Sequence, residues 1–129
     1  MSVKVVTICG SRKFEKEMME VRHKLADELM VVLLPEFDRD NIRDVDALKL
    51  QFTKINMSDA IYVVDVDGYV GEGTKAEIAF ASMNGKLIKY YSEDVQFKEW
   101  LKNPFHQKKI SELSGPQSMN VIFRFAQKT

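Results

Sequence analysis

The sequence predicts an α/β fold built on a parallel sheet, and three observations predict it. Short β-branched runs alternate with amphipathic helical stretches, the connections are mostly brief, and glycine-bearing loops follow two of the runs. Parallel neighbours need right-handed crossovers, which this alternation supplies. With 129 residues, 45% of them apolar, the chain reads as a single domain over 1–129. That size buries roughly two-thirds of the unfolded surface and needs no staple. The one cysteine, Cys9, has no intramolecular partner, which suits a reducing compartment.

The elements follow in order. Val3 to Cys9 is dense in β-branched residues and ends at Gly10, as a strand buried on both faces does. From Glu15 to Leu29, Met18, Met19, Val21, Leu25, Ala26 and Leu29 recur at helical spacing among charged residues. Met30 to Leu34 is a second short strand stopped by Pro35, and Glu36 to Asp46 is a loop with five acids and two arginines. Val45 to Met57 carries Leu48, Phe52 and Ile55 at helical spacing, and Ser58-Asp59 precedes a third strand, Ala60 to Val64. A helix from about Thr74 to Met83 is stopped by Gly85, and Leu87 to Tyr91 forms a fourth strand. Val95 to Lys102 suits a helix, and Val121 to Ala126 suits an edge strand or a last helix. The whole corresponds to a Rossmann-like (flavodoxin-like) sheet of four to five strands flanked by helices.

Charge narrows the function classes. Nineteen Lys and Arg balance nineteen Asp and Glu, so the chain lacks the bulk positive charge with which proteins hold polymeric nucleic acid or an anionic membrane. Apolar stretches such as Met30 to Leu34 are far shorter than the roughly 20 residues of a spanning helix. No secretion signal is read at the N-terminus, so the expected location is cytoplasmic.

Ligands of open α/β sheets bind beyond the carboxyl ends of the strands. Two loops are placed there. Gly10-Ser11-Arg12-Lys13-Phe14 offers a tight exit, a hydroxyl and a cation ahead of a helix N-terminus, a cradle for phosphate or carboxylate, or else an ordinary turn with Arg12 in solvent. It matches neither the P-loop nor the dinucleotide-binding pattern. Asp65 to Thr74 holds three of the six glycines, Gly68, Gly71 and Gly73, which let backbone approach a ligand closely. Glu77 follows, expected in the first turn of its helix and ionised, able to act as a nucleophile. The competing reading is a capping box, Thr74-x-x-Glu77, with the carboxylate folded back onto its own helix. Asp65 and Asp67 could hold a sugar hydroxyl or protonate a leaving base, or else be solvated and capping. Phe14 and Tyr69 could stack on a base. A calcium loop fails, because Val70 and Ala76 stand where its Gly and closing Glu belong. Neither a metal nor a cofactor is expected.

The run Ser58 to Ala81, with Ile8-Cys9-Gly10-Ser11-Arg12 before it and Gly85-Lys86-Leu87-Ile88 after it, resembles the nucleoside 2-deoxyribosyltransferase-like proteins. Gly71-Glu72-Gly73-Thr74-Lys75-Ala76-Glu77 also resembles the G-x-G-T-x-x-E motif of the cytokinin-activating phosphoribohydrolases. The resemblance covers Val3 to about Tyr91. It implies cleavage or transfer of the N-glycosidic bond of a nucleoside or nucleoside monophosphate, with Glu77 attacking the anomeric carbon. It further implies Asp67 and Asp65 near the sugar or leaving base, Gly10 to Arg12 on the sugar or phosphate side, and a homodimer or larger homo-oligomer. Those transferases often carry a Tyr on the first strand and an acid on the helix before strand three. Here that strand has no Tyr, and the helix offers Leu50, Gln51 and Phe52. A non-catalytic nucleotide-binding or sensing protein on the same fold is therefore the alternative.

Overall fold

The computed structural model describes residues 3–103. The chain divides into two compact units, Met1–Asp94 and Val95–Thr129. The first contains β1 (Val5–Gly10), α1 (Glu15–Asp27), β2 (Val31–Leu33), α2 (Asp44–Asn56), β3 (Ala60–Val64), α3 (Glu72–Met83) and β4 (Leu87–Tyr90), with short 3₁₀ turns at Arg12–Phe14, Val66–Gly68 and Tyr91–Glu93. In the second, α4 (Val95–Leu101) is described, and its Phe97 and Trp100 rings stack 5.8 Å apart. Val121 to Ala126, where a fifth strand or last helix was expected, lies outside the described residues.

The four strands are parallel in the order β2-β1-β3-β4, the arrangement of a Rossmann-like α/β fold. Side chains alternate between the faces of the sheet. Cys9, Ile61 and Val63 join Ile55 of α2 and Ala81 of α3 in one core, edged by Phe52 and Phe80, whose rings stack at 4.3 Å. On the other face, Val6, Ile8, Tyr62 and Val64 are buried, as are Met18, Val21 and Leu25 of α1. Right-handed crossovers put α1 on one face and α2 with α3 on the other, because the chain moves outward from β1 to β2 and then back across it to β3.

Polar contacts fix the strand starts. Asp59 Oδ2 accepts from the backbone N–H groups of Lys4 and Val5, both at 2.9 Å. The Thr7 and Ser58 hydroxyls meet at 2.6 Å. Two helix limits differ from expectation by two residues, the others by one at most. α1 stops at Asp27 rather than Leu29, because Leu29 itself takes the left-handed conformation (φ 66°) while Met30 N–H closes back on Leu25. No glycine marks that ending, whereas Gly85 (φ 68°) marks the equivalent one after α3. α3 also begins early, at Glu72, with Gly71 as its N-cap.

Candidate functional site

The chain leaves β1 and β3, side by side at the sheet centre, in opposite directions: β1 leads through α1 to β2 and β3 through α3 to β4. Their carboxyl ends, Gly10 and Val64, are register partners and mark the switch point where such folds open a crevice. Gly10 is required there by close approach. A Cβ at this position would stand 2.9 Å from the Val64 carbonyl oxygen.

A cleft of about 500 Å³ opens at this end of the sheet. One wall is the β1 exit, Gly10, Ser11 and Arg12, and another is the start of α3, Gly71, Gly73, Thr74 and Glu77. The third comprises Pro35, Glu36 and Arg39 from the loop after β2, with Asp44, Val45, Ala47, Leu48 and Gln51 of α2. The structure thus brings together seven of the residues singled out in the sequence. It leaves Asp65, Asp67, Gly68, Tyr69 and Phe14 out of the lining.

Those five have other surroundings. Asp65 is buried and accepts from Ser92 twice, from its N–H at 2.9 Å and from its hydroxyl at 2.7 Å. Asp67 occupies the left-handed region (φ 55°) in the turn after β3, next to Gly68 (φ 79°). Phe14 and Tyr69 meet edge to face with centroids 6.0 Å apart, and the Lys13 ammonium lies 3.4 Å from the Tyr69 ring centre. These contacts clip the two strand-exit loops to each other.

Glu77 is the central group. Because α3 starts at Glu72, Thr74 lies inside the helix and Glu77 in its second turn, so no capping box forms. Thr74, Glu77 and Ala81 share the buried side of the helix, spaced three and four apart. Glu77 is only 8% exposed, and among the described residues its carboxylate has no hydrogen-bond partner. Burial pushes its pKa from 4.5 up to about 7, with the Arg39 charge pulling the other way. The expectation of a fully ionised glutamate is therefore corrected: near neutral pH the protonated and ionised forms are both well populated. Cys9, at the end of β1, is fully buried, and its thiol is pushed well up by burial and by the Glu77 charge.

Eight lining residues were not anticipated from the sequence, and two of them, Gln51 and Arg39, bear on Glu77. Gln51 is in phase with Ala47 and Ile55, the buried face of α2, and its Nε2 donates to Ile8 O at 2.9 Å and toward Cys9 Sγ at 3.6 Å. A polar residue on an apolar stripe was the available signal. Arg39 is held by Nε to Glu36 O at 3.0 Å and by Nη1 to Asp44 Oδ1 at 3.4 Å. Its loop is braced by Lys54, whose Nζ donates to Leu34 O at 2.6 Å and Glu36 Oε1 at 2.8 Å. Arg39 lay in a stretch legible only as solvated.

Comparison with known proteins agrees with the architecture. Three solved chains match. One is the CMP N-glycosidase BcmB of Clostridium botulinum, which superposes with a TM-score of 0.52 at 22% identity over 67% of this chain and 70% of its own. The likeness is one of fold. No family profile and no curated protein matches the sequence. Among the described residues no helix is long and apolar enough to cross a membrane.

Proposed function

We propose that this chain cleaves or transfers the N-glycosidic bond of a nucleoside or nucleoside monophosphate, with Glu77 as the nucleophile. The observation that carries the reading is a buried carboxylate, without a hydrogen-bond partner among the described residues, lining a cleft at the switch point of the sheet. The fold shared with an N-glycosidase and the motif Gly71 to Glu77 support it. The ionised Glu77 attacks C1′, the C1′–N bond breaks, and its electron pair leaves with the base, which takes up a proton. Water then attacks C1′ of the glycosyl ester, loses a proton and returns the carboxylate. A second base in place of water gives transfer.

Gly71 and Gly73 leave room for the sugar. A Cβ at Gly73 would meet nothing within 4 Å. Gly10, Ser11 and Arg12, which line the same cleft, receive its hydroxyls or a 5′-phosphate in this reading. Asp65 and Asp67, off the cleft, are not needed in this scheme, and the proton for the base comes from solvent. Assembly as a homodimer or larger homo-oligomer belongs to the same reading and is measured by light scattering.

The test is release of free base from a panel of ribo- and deoxyribonucleosides and their 5′-monophosphates, followed by chromatography. Glu77→Gln is expected to lower it about a thousandfold or more, the scale of losing a group that acts as part of a unit. Mass spectrometry of wild type is expected to trap a glycosyl adduct on Glu77. Unchanged release in the variant refutes the nucleophile. The burial of Glu77 favours a second reading, binding without turnover: burial pushes the carboxyl toward its protonated form, which can donate a hydrogen bond to a ligand. In that case nucleotides raise the melting temperature while no base is released.

A further inference from the structure

The geometry points to Arg39 as a positioning residue, a tethered counter-charge that favours ionisation of Glu77 while leaving its oxygens free to react. The inference rests on the proposed role of Glu77. A nucleophilic carboxylate has two conflicting needs: a cation nearby, or burial keeps it protonated, and no direct ion pair, or its lone pairs are occupied. Arg39 and Glu77 line the same cleft, and among the described residues they form no direct salt bridge. The guanidinium is instead held on its own side by the Glu36 carbonyl and the Asp44 carboxylate. Two donors at fixed angles make this tether, which a lysine ammonium does not reproduce.

The other groups facing Glu77 cannot take this part. From β1 comes Cys9, a neutral thiol, and from α2 comes Gln51, uncharged and engaged with Ile8. From the loop after β2, Glu36 carries a negative charge and is paired with Lys54, and at the start of α2 Asp44 is paired with Arg39. Arg12, at the β1 exit, is a cation but is exposed, so water screens it. The Arg39 side chain is 25% exposed, which leaves more of its field inside the cleft.

The experiment titrates the carboxyl of Glu77 directly, by carbon NMR on glutamate-labelled protein, with the signal identified by its loss in Glu77→Gln. In Arg39→Gln the midpoint is expected to rise by roughly half a pH unit or more. Arg39→Lys, which keeps the charge without the fork, is expected to fall between that variant and wild type. A midpoint unmoved in Arg39→Gln overturns the inference, and so does an Arg39→Lys midpoint no lower than that of Arg39→Gln. The nucleoside panel is run alongside. If wild type releases base, the acid limb of kcat/KM moves with the NMR midpoint, and a limb that stays put also overturns the inference. If no base is released while the midpoint shifts, the electrostatic coupling stands and the glycosidase reading is the one that falls.

Discussion

The Gln51 side chain on α2 donates to the backbone carbonyl of Ile8 in β1 at 2.9 Å, so the helix that walls the cleft is fastened to the strand that ends in its floor. β2 pairs with β1 only as far as Thr7, and the Gln51 amide engages β1 just beyond that limit.

Gln51→Leu keeps the volume and removes the donor, leaving the Ile8 oxygen without it in a buried setting. A loss of about 1–3 kcal/mol is expected, the range for stranding a buried acceptor. Urea unfolding at constant m-value checks it.

Glu77→Gln is expected to make the fold more stable at alkaline pH. The folded-state pKa is raised, from 4.5 to about 7, so the stability linked to the protonated group is complete below 4.5 and is lost as pH rises through 7. Above that pH the wild type carries a poorly solvated charge that the amide lacks. The gain is on the order of 2–3 kcal/mol above pH 8, close to zero at pH 4. Thermal melts of both proteins across that range measure it, and a pH-independent difference would contradict the assignment.

Gly10→Ala sets a Cβ 2.9 Å from the Val64 carbonyl and 2.8 Å from Met18 Cε. The methionine can swing aside and the sheet carbonyl cannot. A cost of about 2–3 kcal/mol is expected from overpacking, read by denaturant midpoint.

Asp59 ties two backbone amides at the start of β1, and these bonds hold its carboxyl below the ordinary 3.8. A depressed pKa gives stability that is present above 3.8 and lost as pH falls through the lower folded-state value. Asp59→Ala should therefore melt earlier than wild type at neutral pH. The gap between the two melting curves should close as the solution is acidified below that point.

The strand and helix alternation was legible in the chain because periodicity is local: β-branched runs and three-to-four spacing need no knowledge of distant residues. The glycine-rich segment before Glu77 was legible for the same reason, as was the helix end at Gly85. The end of α1 was not, since Leu29 carries a left-handed backbone that its residue type does not advertise. Helix phase alone also hid Lys24, which lies on the buried stripe of α1 within 3.3 Å of Glu28 and 3.8 Å of Asp94.

Residue order by itself determined the fold class and marked Glu77 as a candidate. What surrounds that carboxylate was decided by tertiary structure: register and crossovers bring Gln51 and Arg39 from α2 and its preceding loop to the end of β1, and send Asp65 to Ser92 instead. Contacts between segments dozens of residues apart depend on strand order and helix phase together, and burial by those segments is what moves the ionisation of Glu77 toward neutrality.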